Sequence, residues 1–286
     1  MQYMHAFHAG NFADVHKHIA VLQVISALQK KPKGFLYLDT HAGAGMYDLA
    51  GSEARRAGES ESGIERLMSL AGNPPSHPAI RQYRDAVARL RAAHGRHCCP
   101  GSPLLAALAL READAAICVE SQAPVARALQ RALDQHASAL RTQPRVVNGD
   151  GYQEVRAALP PPLRRGFILI DPPYETDAEE KQIAAALAAG VERFGTGVFA
   201  VWYPIKRQHD ADLFVARLLR GIERPALTAE LCLHAADHSA GLNGSGILIV
   251  NPPWQFDTDA MAWQEELHSL LGASGGSSVK WLRAAG

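Results

Sequence analysis

"FILIDPPYET", residues 167–176, is the stretch on which the reading of the fold turns. Four apolar residues, Phe167 to Ile170, run directly into Asp171-Pro172-Pro173-Tyr174. Proline has no N–H, so Pro172-Pro173 cannot extend a sheet ladder, and a buried strand must end there. The bulge this forces leaves the Pro172 carbonyl free to accept a hydrogen bond, with Asp171 as a second acceptor and Tyr174 as a flat face. Two acceptors converging on one NH2 group, above a ring, suit the exocyclic amine of a planar heterocycle such as adenine. That amine is a poor nucleophile because its lone pair is delocalised. Hydrogen bonds from both its N–H groups would localise the pair on nitrogen and aim it at an electrophilic methyl. A second stretch, "ILIVNPPWQF" at 247–256, repeats the pattern with Asn251 and Trp254, and at most one of the two is a reaction centre.

Outward from residue 167 the chain alternates between strand and helix patterns. "FLYLD" at 35–39, "AAICVE" at 115–120, "RVVNGD" at 145–150 and "GVFAVWYP" at 197–204 read as strands. Helical apolar spacing marks residues 12–30, 100–110, "PVARALQRALDQHA" and "AEEKQIAAALAAGVERF". "TAELCLHAA" and "GILIVNPP" read as two late strands. This alternation predicts an α/β fold with a doubly wound, mainly parallel sheet, whose ligands sit at the C-terminal strand ends. Those ends carry Asp39, Glu120, Asp150 and Asp171, and like charges gathered at one edge cost energy unless something binds there.

"DTHAGAG" after the first strand gives a ligand close access to backbone N–H groups at Gly43 and Gly45, although a tight structural turn would use the same glycines. Glu120 is placed to hold ribose hydroxyls, yet it follows the glycine loop at several times the usual spacing of about 20 residues. The excess predicts an inserted helical subdomain over 47–99, with residues 1–46 and 100–286 as the main domain.

The bulk numbers fit an ordinary globular protein: 286 residues, 47% apolar, 20% charged and a net charge of zero. A neutral total does not favour a nucleic-acid binder, but it can hide a one-sided basic face. Four cysteines without a C-x-x-C pair indicate neither a zinc site nor a disulfide framework. The N-terminal run lacks signal-peptide features, so a cytoplasmic location is expected. Among the N-terminal histidines, irregular spacing speaks against a metal site, and His16 reads as a solvated helix residue.

A (D/N)PP(Y/F/W) motif after such a strand resembles that of class I S-adenosylmethionine-dependent methyltransferases of the amino-methylating group. "FHAGNFADVHKH", "FLYLDTHAGAGMYDL", "PGSPL", "NGDGY", "RRGFILIDPPYE", "VWYPI" and "SGILIVNPPW" together resemble, in order and over nearly the whole chain, the bacterial J-type 23S ribosomal RNA adenine-N6 methyltransferases. The resemblance implies a Rossmann-like sheet with an antiparallel last strand, S-adenosylmethionine as cofactor and 23S ribosomal RNA as partner; a sulfonium donor brings its own leaving group, so no metal is required, and neutral charge without heptads makes a monomer the default. It implies that His18, His41, Gly43, Ser102, Glu120, Asp150, Gly151 and Asp171 contact the cofactor. Asp171, Pro172 and Tyr174 would act on the flipped adenine, with Tyr174 stacking on it, and Tyr3 would touch the RNA. The family start reads Tyr-Arg-His, whereas here it is Tyr3-Met4-His5, without that basic residue.

An antiparallel "GILIV" would put Asn251-Pro252-Pro253-Trp254 at the edge opposite the cofactor, as a structural turn with a core tryptophan. Two other readings stay open. DNA adenine or a protein glutamine could be the acceptor, although glutamine enzymes resemble NPPY more than DPPY. A non-catalytic RNA-binding assembly factor could keep the fold, but it would have no need of the Asp171 carboxylate.

Overall fold

The computed structural model describes residues 7–70, 75–235 and 241–284, so Tyr3 lies outside the described residues. The chain begins with α1 (Phe12–Gln29) and β1 (Leu36–Asp39). The segment that follows holds β2 (Met46–Asp48), α2 (Ser52–Ala57), α3 (Ile64–Ser69), α4 (Pro78–His94) and β3 (Cys98–Pro100). Next come α5 (Ser102–Ala109), β4 (Ala115–Glu120), α6 (Ala123–Gln135), β5 (Arg145–Asn148) and α7 (Gly151–Ala158). Then follow β6 (Gly166–Ile170), α8 (Asp177–Arg193), β7 (Val198–Ile205) and α9 (Gln208–Leu218). The last elements are β8 (Ala226–Cys232), β9 (Gly244–Val250), α10 (Phe256–Leu270) and β10 (Ser277–Arg283).

Eight strands form one sheet in the order β10-β8-β9-β7-β6-β1-β4-β5. The five from β7 to β5 are mutually parallel, joined by helical crossovers. β6 is buried at every residue, as a strand covered on both faces must be. It lies between β1 and β7, so Asp171 emerges at the centre of the C-terminal edge, beside the loop that leaves β1.

β9 runs antiparallel to both β7 and β8, with Val250 opposite Phe199 at the start of β7. The Asn251 turn therefore sits at the edge away from Asp171, as expected. The tryptophan in it does not enter the core. Trp254 is 84% exposed, and Phe256, 1% exposed, takes the core position instead. The cause is local. Asn251 adopts a left-handed φ of 53° and its Nδ2 donates to the carbonyls of Gly195 and Gly197, at 3.1 and 2.8 Å, turning the chain outward before α10. A further antiparallel strand, β10, completes that side of the sheet.

α1 is capped by Asn11, whose side chain accepts from the Asp14 N–H, and is buried on nearly all sides. His16, read as solvated, is fully buried there: its ring bonds Ser245 of β9 at 2.9 Å and Gln264 of α10 at 2.8 Å. His16 is excluded from solvent because β9, α4, α5 and α10 all pack around α1.

β2 and β3 pair antiparallel, Met46 with Pro100 and Asp48 with Cys98, and bring the two ends of the intervening segment together. Its helices do not carry a separate core. Ile64, Leu67, Ile80, Tyr83 and Val87 join the apolar cluster built around Val15, Ile19 and Leu22 of α1. No helix of the described residues is long and apolar enough to cross a membrane.

Candidate active site

A cleft of about 840 Å³ opens along the C-terminal strand edge. One wall comes from the β1 loop, β4 and the start of α5, through His41, Gly43, Ser102 and Glu120. The other comes from the end of β6 and from β7, through Asp171, Pro172, Tyr174 and Trp202. α1 forms the floor with Asp14, Lys17 and His18. The turn after β5 stays off the lining. Asp150 caps α7 instead, accepting from the N–H groups of Tyr152 and Gln153. At Gly151 a side chain would strike the Thr40 carbonyl, 2.0 Å from an ideal Cβ, so this glycine lets α7 start against the β1 loop.

The first wall is preorganised by backbone donors. Glu120 accepts from the Gly43 N–H at 3.1 Å through one oxygen and from the Gln122 N–H at 2.8 Å through the other. Each oxygen keeps a lone pair for a hydroxyl in the cleft. Gly43 has φ +65°, and a Cβ there would lie 2.2 Å from the Tyr47 hydroxyl. That hydroxyl accepts from the Ala44 N–H at 3.0 Å and braces the loop. Asp39 is fully buried and accepts from the Ser102 hydroxyl at 2.7 Å and the Tyr37 hydroxyl at 2.9 Å. Burial pushes its carboxyl up to about 6, opposed by those donors and helped by the nearby Asp171 charge. Burial also lowers the His41 imidazole to about 4, against the pull of Asp171 and Asp150. Its Nδ1 is 2.8 Å from the Thr40 hydroxyl.

The second wall is centred on a buried ion triad. Lys17 Nζ lies 2.8 Å from Asp14 Oδ1 and 2.7 Å from Asp171 Oδ2. Burial alone would lower the Lys17 pKa, but the two carboxylates reverse that and raise it, so the ammonium stays charged. Lys17 engages one Asp171 oxygen, and the carboxylate keeps its second oxygen for another donor. No hydrogen bond from the described residues ends on the Pro172 carbonyl. Tyr174 holds a left-handed φ of 57°, a strain of order 1–2 kcal/mol for a residue with a side chain. Its hydroxyl donates to the Trp202 carbonyl, and its ring meets Trp202 and Phe214 edge-on at 5.7 and 5.9 Å. Backbone strain of this kind persists where the surroundings over-determine it, as at ligand clamps.

The structure thus brings His18, His41, Gly43, Ser102, Glu120, Asp171, Pro172 and Tyr174 together and leaves Asp150 and Gly151 off the lining. Sequence reasoning passed over Lys17, Asp14 and Trp202. A signal existed: Asp14 and Lys17, three apart, stand among apolar residues of a helix with no polar face.

A sequence profile described as "Ribosomal RNA large subunit methyltransferase D, RlmJ" matches residues 32–283. The chain is 37% identical over 291 residues to "Ribosomal RNA large subunit methyltransferase J" of Escherichia coli strain K12, covering 99% of each. It is 36% identical over 289 residues to the protein of the same name from Haemophilus influenzae, again with 99% of each covered. A crystal structure of a Legionella pneumophila protein superposes with a TM-score of 0.84 at 30% identity, over 97% of this chain and 99% of that one.

Proposed function

Because the chain belongs to the ribosomal RNA large subunit methyltransferase J family, we propose that it methylates the N6 amine of one adenine in the 23S RNA. Methyl transfer to large-subunit ribosomal RNA is the family's activity, and S-adenosylmethionine is the donor. The observation that carries the finer reading is that Asp171, Pro172 and Tyr174 line the same cleft as Glu120 and Ser102.

The first wall fits the donor. Glu120 would hold the ribose, and Gly43, where a side chain has no room, would let the backbone close on it. His18, His41 and Ser102 complete the lining there. When bound, S-adenosylmethionine supplies an electrophilic methyl that already carries its leaving group.

On the second wall the adenine leaves its stack and enters beside Tyr174. The free Asp171 oxygen accepts one amine N–H and the Pro172 carbonyl accepts the other. Both bonds draw the lone pair onto N6. Lys17 fixes the Asp171 rotamer, and Asp14 holds Lys17 in turn. Asp171 serves as acceptor, and the extra proton on the methylated amine leaves afterwards.

The test is Asp171→Ala assayed on protein-free 23S RNA with labelled donor. Transfer should fall by at least about 10²-fold, the usual effect of removing one preorganised polar group from the transition state. Donor affinity, read by calorimetry, should change by less than about threefold. A variant that transfers at the wild-type rate contradicts the reading. Wild-type label found in DNA or protein would move the substrate class.

A further inference from the structure

A buried polar chain runs from the second wall into the core and has no part in the chemistry above. Trp202 Nε1 donates to Ser245 Oγ at 2.9 Å, and Ser245 Oγ lies 2.9 Å from His16 Nδ1. His16 Nε2 lies 2.8 Å from Gln264 Oε1, and Gln264 Nε2 donates to the Ser278 carbonyl at 3.4 Å. Ser245 and His16 are fully buried and Gln264 is 1% exposed. The chain joins β7, β9, α1, α10 and β10.

Its proton order follows from what each group can do. The Ser278 carbonyl only accepts, so the Gln264 NH2 faces it and the Gln264 oxygen faces His16. His16 must therefore carry its proton on Nε2. Burial pushes this imidazole down to about 4, so it is neutral, and Nδ1 is left bare. Ser245 then gives its hydroxyl proton to Nδ1 and receives the indole N–H on a lone pair. Each link of the chain then pairs a donor with an acceptor, and the order cannot run backwards, because an indole N–H has no acceptor role.

We propose that His16 and Ser245 are positioning residues that fix the indole of Trp202 as a wall of the base pocket. Trp202 lines the cleft, carries the Lys17 ammonium 5.6 Å from its ring centroid, and receives the Tyr174 hydroxyl on its backbone carbonyl. A tilt of the indole would disturb the Lys17 ammonium over its face and the Tyr174 ring that meets it edge-on at 5.7 Å. The proposal rests on the adenine reading of this cleft.

Two measurements test it on the full-length protein. In the first, tryptophan is labelled with ¹⁵N, and the Trp202 indole signal is assigned by its loss in Trp202→Phe. Ser245→Ala should shift that signal and speed its hydrogen exchange, and an unmoved signal overturns the relay. This arm needs no activity, so it stands even if no RNA is methylated, an outcome that would sink the adenine reading alone. In the second, a double-mutant cycle reads KM for RNA. Ser245→Ala should raise it about five- to tenfold, the size of one lost hydrogen bond. It should leave donor affinity within about twofold and add nothing in the Trp202→Phe background. An additive cycle, or an equal loss of donor affinity, means Ser245 acts structurally and overturns the proposal. Should Ser245→Ala not fold, Trp202→Phe alone must raise KM with donor affinity kept, and an unchanged KM overturns it.

Discussion

At the scale of single residues, Lys17 holds the second wall together. Its ammonium stands between two carboxylates in a buried site, with side chains only 5–11% exposed. Lys17→Met would leave Asp14 and Asp171 facing each other without a counter-charge. Breaking a buried pair in this way costs about 3–5 kcal/mol, so the urea midpoint at pH 7 should fall accordingly. A midpoint equal to the wild type would mean that the triad is not a buried charge cluster. Titration of the histidines is the second residue-scale expectation. His16 and His41 are held near 4, below the ordinary 6.5. Between those values the unfolded chain binds protons that the fold excludes, so these residues take stability away as pH falls from 6.5 towards 4. Asp39, raised to about 6, has the opposite sign, because its native proton adds stability on acidification through 6. These two deeply lowered histidines outweigh Asp39 together with His8, whose imidazole is raised by its hydrogen bond to Glu59. Net stability should therefore drop between pH 6.5 and 5, and His41→Asn should make the drop shallower when urea midpoints are compared across pH. The acid at the end of each strand was legible in the sequence. The partner that holds Asp171 was not, because a lysine inside a helix looks solvated until four neighbouring elements are known to close over it.

At the scale of elements, the two PP turns separate by strand direction. β6 and β9 have similar apolar sequences and opposite polarity, which places their prolines at opposite sheet edges. Asn251→Ala removes the donor to two carbonyls and should cost about 1–3 kcal/mol. Trp254→Ala, at an exposed site, should stay within about 0.5 kcal/mol of the wild type. Neither should change methyl transfer per folded molecule, and a loss of transfer in either would put the second turn in the reaction. The direction of β9 followed from the resemblance rather than from its own residues, since an apolar run reads the same in both directions. Strand β10 went unread for a related reason: "SSVKWLR" is an edge strand with mixed polarity, and no alternation marks it.

At the scale of the whole molecule, α1 connects everything that matters. It packs against the sheet at β9 and β6, against α4 of the intervening segment and against α10, and it delivers Lys17 and His18 to the cleft. The glycine loop, the strand ends and the Asp171 turn could be read in order because a parallel sheet sets C-terminal ends side by side. The helix lying across them could not be placed that way, since no strand order dictates it. The reaction proposed for this cleft is methylation of adenine N6 in RNA. Its most direct measurement is mass-spectrometric nucleoside analysis of protein-free 23S RNA, taken from cells lacking the enzyme and incubated with the protein and labelled S-adenosylmethionine. Label should appear in N6-methyladenosine alone and be absent with Asp171→Ala. Label on any other nucleoside would contradict it.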